Sequence, residues 1–290
     1  MTVLLDDSTK VLIQGITGSM GRFQCAEMLS YGTRVVAGVS PGRGGTLVEG
    51  VPVFDTARRA VRETAAEMSI IFVAAPRAKD AIYEAIDAGL KRIVCVAEFM
   101  PVHDVIEIRR KVRETGVRLV GPNCSGIISP GKGKVGFYSD EVCMPGDVGV
   151  MSKSGTLSYA TLLEMKRHGI GATTVIGVGG DEVKGTTFTD CIELFEKDSD
   201  TRAMLMIGEV GGREEENAAD FIRSNCKKPV VAFISGRTIP PGQSIGHAGA
   251  IVVGSKGTYQ GKVDALTAAG VKVAKTIEDV PFLLRQTHAH

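Results

Sequence analysis

Short runs of β-branched and aliphatic residues alternate with segments of helical period along nearly the whole chain, and this alternation constrains the fold more than any other feature. Val11-Leu12-Ile13, Arg34-Val35-Val36-Ala37, Ile70-Ile71-Phe72-Val73, Ile93-Val94-Cys95-Val96 and Leu119-Val120 read as strands buried on both faces. Between them, residues 22–31, 57–65, 77–89 and 103–115 read as helices, two of them closed by Gly89 and Gly116. Strands separated by helices run parallel, so the first half is expected to be a doubly wound α/β sheet.

Around residues 121–147 the rhythm breaks into Gly121-Pro122-Asn123-Cys124-Ser125-Gly126, then Ser129-Pro130-Gly131-Lys132-Gly133-Lys134. A domain boundary is placed there: residues 1–125 as one unit, 126–146 as a linker and 147–290 as a second unit. Alternation then resumes, with strands expected near 148–151, 173–177, 203–207, 229–233 and 271–273. Helices are expected near 155–168, 186–195, 213–224, 257–268 and 277–286, which makes the second half another open α/β sheet.

The chain has 290 residues, with 34 basic against 33 acidic side chains and no long block of either sign. Composition therefore offers no electrostatic case for a nucleic acid or an anionic membrane, and any phosphate must be held locally. The six cysteines form no CxxC pair and lie at no metal-ligand spacing to a histidine, so no metal is expected and reduced thiols in a cytosol-like compartment fit best. No apolar run approaches the roughly 20 residues of a membrane span, and a soluble protein is expected.

Glycine-bearing strand ends carry the candidate chemistry. After the first strand, Gln14-Gly15-Ile16-Thr17-Gly18-Ser19-Met20-Gly21 leads into a helix whose free N–H groups suit a phosphate. Its GxxGxxG spacing is not the dinucleotide GxGxxG, and the second strand leads to Arg43 instead of an acid, which argues for a ligand with an extra phosphate. Val96-Ala97-Glu98 and Gly121–Gly126 would border the same crevice. In the second half, Ser152-Lys153-Ser154-Gly155-Thr156 opens a helix and offers hydroxyls, a lysine and free amides to an oxyanion, with Tyr159 one turn on. Glu209 in Gly208-Glu209-Val210-Gly211-Gly212 is expected to fix the tautomer of His247, whose neighbours Gly246, Ala248 and Gly249 leave its ring approachable. Cys124 has no adjoining base in sequence and reads as a buried thiol in preference to a nucleophile.

With these motifs laid out, the chain resembles the alpha subunits of the succinate-CoA ligase family and, more broadly, the acyl-CoA synthetases that form a nucleoside diphosphate. The likeness spans residues 3–285 through Gln14–Ser19, Gly121–Cys124, Ser154–Leu157, Met206–Glu209 and Gly246–Ala250. The resemblance implies a Rossmann-like CoA-binding domain followed by a flavodoxin-like doubly wound ligase domain. It implies coenzyme A over Thr17, Gly18, Ser19 and Met20, at Arg43, and at Val96, Ala97 and Glu98. It implies His247 as a histidine phosphorylated in turnover with Glu209 as its catalytic partner, and phosphate or substrate at Ser154, Gly155, Thr156, Tyr159, Asn123 and Cys124. A beta subunit would supply an ATP-grasp site for ATP or GTP with magnesium, in an αβ or α2β2 assembly, and the second substrate would be a small dicarboxylic acid. The compartment implied is cytoplasmic, or the mitochondrial matrix if a transit peptide has been removed.

In the thioester-forming direction, the reaction is read as acyl phosphate formation from the nucleotide, displacement of phosphate by the thiol, and return of that phosphoryl group to NDP through His247. Arg43, Phe99, Ser125 and Ala160 depart from the family pattern, and Phe99 and Ala160 bear on acid specificity. The alternatives are a malate-CoA ligase alpha subunit, a CoA-binding regulatory module without catalysis and, with the wrong glycine spacing, a nicotinamide oxidoreductase.

Overall fold

The computed structural model describes residues 3–239, 247 and 257–288. Strand β1 (Val11–Gln14) buries all four residues, as a continuous apolar run requires, and the first sheet is built outward from it. Its other strands are β2 (Val35–Val39), β3 (Leu47–Val48), β4 (Val51–Phe54), β5 (Met68–Ile71), β6 (Arg92–Cys95) and β7 (Arg118–Val120), in the order β3-β4-β2-β1-β5-β6-β7. Helices α1 (Ser19–Ser30), α2 (Ala57–Thr64), α3 (Ala75–Asp87) and α4 (Val102–Thr115) make the connections. The parallel strands follow the Rossmann order, which reverses between β1 and β5.

The second sheet contains β8 (Gly126–Ser129), β9 (Gly133–Gly136), β10 (Pro145–Ser152), β11 (Ala172–Gly177), β12 (Ala203–Glu209), β13 (Val230–Ser235) and β14 (Lys272–Ala274), in the order β14-β13-β12-β10-β11-β8-β9. Its helices are α5 (Gly155–Arg167), α6 (Phe188–Lys197), α7 (Glu214–Asn225), α8 (Tyr259–Ala268) and α9 (Asp279–His288). The parallel strands β11-β10-β12-β13-β14 follow the flavodoxin order, with its reversal between β10 and β12.

Two features correct the sequence reading. The hairpin β3–β4 adds an antiparallel edge that its short, proline-interrupted sequence did not signal. Residues 126–146 are not a plain linker: β8 and β9 pair as a hairpin, and β8 lies antiparallel on β11. The glycines and proline around residue 130 belong to the hairpin turn, and its arms, Gly126–Ser129 and Gly133–Gly136, are broken by glycine, serine and lysine and lack a continuous apolar run.

Local chemistry sets several boundaries. Thr56 accepts from the Arg59 N–H at the start of α2, and Thr187 and Asp190 form a reciprocal capping box on α6. Such a cap contributes about 1 kcal/mol. The two sheets also share buried apolar contacts, one cluster running from Val11 and Ile13 through Val120 and Ile127 to Met151 and Ile176. Thr33 Oγ1 donates to the Lys134 carbonyl at 2.8 Å, Thr186 Oγ1 to the Leu119 carbonyl at 2.6 Å, and Arg118 pairs with Asp190 at 3.0 Å. These bonds tie the two sheets to each other.

Candidate active site

In an open parallel sheet, ligands settle beyond the carboxyl ends of strands where the order reverses. In the second sheet that point lies between β10 and β12. Strand β10 ends at Ser152 and leads into α5, whose cap Ser154 accepts the Leu157 N–H at 3.2 Å. The N–H groups of Gly155 and Thr156 meet no acceptor among the described residues. They point along a helix dipole whose positive end faces the crevice, which suits an anion.

The serine hydroxyls and the lysine of this run are occupied. Ser152 Oγ donates to the Ser154 carbonyl at 2.9 Å, and Ser158 Oγ donates to the same carbonyl at 2.6 Å. Lys153 turns inward, its Nζ 2.8 Å from Glu215 Oε1 and 3.4 Å from Glu214 Oε2. The sequence reading that added these hydroxyls and the lysine to the phosphate site is therefore corrected: the amides are available, the lysine is not. Buried carboxylates one strand away hold it more strongly than a solvated crevice does.

Strand β12 ends at Glu209, whose side chain is 10% exposed and whose Oε2 lies 2.7 Å from Nδ1 of His247, itself 28% exposed. The remaining ring nitrogen, Nε2, is thereby left as the one with a lone pair in the neutral tautomer that donates to Glu209. The hydrogen bond to Glu209 raises the imidazole pKa above its ordinary value, with burial opposing it. Asp181 adds to the rise and Lys184 counters it. The sequence around His247, residues 244–246 and 248–250, lies outside the described residues.

The ring rests on Gly180. A Cβ there would stand 2.2 Å from the imidazole Cγ and 2.6 Å from Nδ1, so only glycine admits the ring. The use of the Gly177–Asp181 run as a floor under the imidazole was not visible in the sequence. Asp181 accepts from Asn123 Nδ2 at 2.8 Å, and the Asn123 N–H donates to the Ala97 carbonyl at 2.9 Å. Asn123 thus bridges the loop after β6 to the floor of the histidine site.

Two expected ligand groups are otherwise engaged. Cys124 is buried with its Sγ 3.3 Å from the Cys95 carbonyl, and burial pushes its thiol far above the ordinary range. Buried in the hydrophobic core, the thiol stays protonated, which does not suit a nucleophile. Tyr159 donates its hydroxyl to the Phe137 carbonyl and stacks on Tyr138, so its hydroxyl faces backbone instead of an incoming acid.

In the first sheet the reversal point is bordered by the loop after β1. Thr17 Oγ1 donates to Ser40 Oγ at 2.9 Å, joining the ends of β1 and β2. Gly18, Ser19 and Met20 are exposed, and the Ser19 and Met20 amides have no acceptor among the described residues. Arg43 is exposed, and its guanidinium has no partner among the described residues. Val96 is half-buried, Ala97 buried and Glu98 exposed at the end of β6. Free amides at a helix start with a cation on the loop after the adjoining strand fit a ligand bearing several phosphates.

A family model described as a CoA binding domain matches residues 6–99, and one described as CoA-ligase matches residues 151–272. Succinate–CoA ligase [ADP-forming] subunit alpha 2 of Archaeoglobus fulgidus is 50% identical over 286 residues, 99% of this chain and 99% of that protein. The chain belongs to the succinate-CoA ligase alpha-subunit family. The corresponding Staphylococcus aureus subunit is 49% identical over 97% of this chain and 93% of its own length.

Among solved structures, an ATP citrate lyase from Methanothrix soehngenii in complex with citrate and coenzyme A superposes with a TM-score of 0.89 at 24% identity. A dinucleotide-forming acetyl-coenzyme A synthetase from Ca. Korarchaeum cryptofilum does so at 0.75 and 21%. This chain covers 99% and 94% of itself in the two cases but only 50% and 59% of those chains, a likeness of fold. The family membership makes the protein one subunit of a ligase with two α/β domains. Among the described residues no helix is long and apolar enough to cross a membrane, and no group of three or more His, Cys, Asp or Glu stands ready for a metal.

Proposed function

We propose that this chain is the alpha subunit of an ADP-forming succinate-CoA ligase in which His247 carries the phosphoryl group and Glu209 orients it. The observation that carries this reading is the 2.7 Å contact between His247 Nδ1 and a nearly buried Glu209 carboxylate at the point where the second sheet reverses. A donor-anchored Nδ1 leaves the Nε2 lone pair as the nucleophile, and the glutamate stabilises the positive charge that the ring takes on as it is phosphorylated.

Nε2 attacks the terminal phosphorus of the nucleoside triphosphate, forming N–P as the P–O bond to the diphosphate breaks. A carboxylate oxygen of the acid then takes the phosphoryl group, N–P breaks and the imidazole returns neutral. The CoA thiol attacks the acyl carbon, inorganic phosphate leaves with the carboxyl oxygen, and the thiol proton is lost to solvent or phosphate. The order expected from the sequence, in which the histidine collects phosphate already displaced by the thiol, does not hold. Inorganic phosphate has no leaving group able to drive N–P formation.

Loose phosphoryl transfer depends mainly on placement and charge stabilisation, which the Gly155 and Thr156 amides at the start of α5 are suited to supply. Coenzyme A is assigned to the loop at Thr17–Met20, Arg43 and Val96–Glu98. The nucleotide and its magnesium are assigned to a beta subunit with an ATP-grasp fold. Free thiols throughout the chain fit a reducing, cytosol-type compartment.

The test is incubation of the co-expressed αβ enzyme with ATP labelled at the terminal phosphate. The expected result is acid-labile, base-stable label on His247, absent in His247→Ala and discharged by succinate with CoA. Label that persists in His247→Ala, or discharge by malate but not by succinate, would overturn the assignment of the carrier or of the acid respectively.

A further inference from the structure

Directly beneath the His247–Glu209 pair lies a group of buried charges that the phosphoryl-transfer steps do not use. Glu215, in the first turn of α7, is fully buried and sits between two ammonium groups, Lys153 at 2.8 Å and Lys262 of α8, with which it forms a very short contact. Lys262 is likewise fully buried and also reaches Glu216 at 3.0 Å and the Gly212 carbonyl at 3.2 Å. Glu214 accepts from Lys184 at 2.9 Å, while Lys184 donates to the Gly179 carbonyl at 2.7 Å. The Glu214 Oε1 accepts the Phe188 N–H at 3.0 Å.

Charges withdrawn from water cost more than an apolar packing of the same volume, so this arrangement is a poor device for stability alone. What it does is fix positions. Glu215 Oε1 accepts the backbone N–H of Glu209 at 3.1 Å. Gly208 has no side chain where a Cβ would stand 2.7 Å from that same oxygen. Lys153 is the residue before the cap of α5, and Lys184 holds Gly179, the neighbour of the glycine on which the imidazole rests. One carboxylate thus sets the end of β12 against the end of β10, and its neighbour Glu214 ties in the floor loop after β11.

We propose that Glu215 is a positioning residue for phosphoryl transfer: held between Lys153 and Lys262, it fixes the backbone of Glu209 and so the direction in which the Glu209 carboxylate meets His247. The proposal rests on the phosphohistidine reading above. Glu214 and Lys184 act in the same sense on the Gly179–Gly180 floor. Glu215 does not touch the imidazole and acts on it through Glu209. Its ionised state is secured by its partners: burial opposes the charge, and Lys153 and Lys262 outweigh it, bringing the carboxyl down to about 2.

Two variants test this in the full chain. Glu215→Gln keeps the shape and an acceptor oxygen but leaves two buried ammonium groups facing a neutral amide. Glu215→Gln with Lys262→Met removes one charge of each sign and so keeps the interior balanced should the single variant not fold. The His247 imidazole is followed by NMR pH titration, which needs no turnover and reports the Glu209 contact directly, with Lys184 and Asp181 as the other charges near the ring. Phosphorylation of His247 is followed by rapid quench in the αβ enzyme.

The expected result is a folded double variant whose His247 pKa falls by at least half a unit toward that of free imidazole. Its phosphorylation rate drops roughly 10-fold or more, while KM for CoA stays within 2-fold. A folded double variant with unchanged His247 titration and unchanged phosphorylation rate overturns the positioning role. If the wild-type enzyme takes no label on His247, the phosphohistidine reading fails instead, and the titration still decides whether Glu215 positions Glu209.

Discussion

Replacing Gly180 by alanine changes one methyl group and isolates the seat of the imidazole. The added Cβ would lie 2.2 Å from His247 Cγ, 2.4 Å from Cδ2 and 2.6 Å from Nδ1. Carbon atoms in contact sit about 3.5–4.0 Å apart, so the ring has to retreat by roughly 1.5 Å. A 2.7 Å hydrogen bond to Glu209 does not survive a displacement of that size. Misplacing a reacting group by about 1 Å costs on the order of 100-fold in rate, equivalent to about 2.7 kcal/mol of activation free energy.

The rest of the protein has little reason to change. Gly180 is not among the glycines with positive φ, so alanine fits its backbone, and its N–H bond to the Asn123 carbonyl at 3.3 Å is retained. A backbone that accepts alanine contributes about 0.4–1 kcal/mol through the unfolded chain, which partly offsets the displacement of the ring, so thermal unfolding separates a lost seat from a lost fold. The assay is rapid-quench transfer of labelled phosphate to His247 in the αβ enzyme, with thermal unfolding measured in parallel. Wild-type transfer rates in a normally folded Gly180→Ala enzyme would refute the argument that this glycine seats the ring.

Three further outcomes are expected. Because Glu209 raises the His247 pKa, the favourable charge interaction is fully present below the ordinary imidazole value of about 6.5 and fades as pH rises through the raised folded value. The nucleophilic neutral ring therefore accumulates at higher pH than a free imidazole, and Glu209→Gln should move the pH midpoint of phosphorylation downward; an unmoved midpoint contradicts the pairing. Arg43→Ala should raise KM for CoA several-fold while ATP still labels His247 at the wild-type rate, as measured by initial velocities and single-turnover labelling; equal loss in both would place Arg43 elsewhere. The Cys124 thiol, buried and held far above the ordinary range, should resist iodoacetamide at pH 8 when peptides are read by mass spectrometry, and Cys124→Ala should retain activity within a few-fold.

The strand and helix alternation decided both sheets before any tertiary contact was considered, because burial on both faces and helical period are written locally in residues such as Val11–Ile13 and 155–168. Chain direction and short connections then leave few topologies, so the two reversal points and the glycine-bearing loops beside them were legible. The glutamate and histidine were also nameable, since a carboxylate at a strand end and an unshielded imidazole declare their chemistry by type. The edge hairpins were not, because glycine, proline or lysine interrupts strands such as Val51–Phe54 and Gly133–Gly136, which lack the unbroken apolar runs of the central strands.

Only the tertiary structure decided which polar groups face the crevice. Lys153 stands next to the cap of α5 in sequence, yet its ammonium points to Glu215, 62 positions later, where a buried opposite charge attracts it more strongly than water screens it. The same holds for Gly180, whose role depends on a ring 67 residues away, and for Cys124, whose inertness follows from the core that covers it. Sequence pattern fixes what each segment is able to bury, whereas the partner of a charge is chosen by through-space distance and local dielectric, quantities that exist only once the sheets have formed.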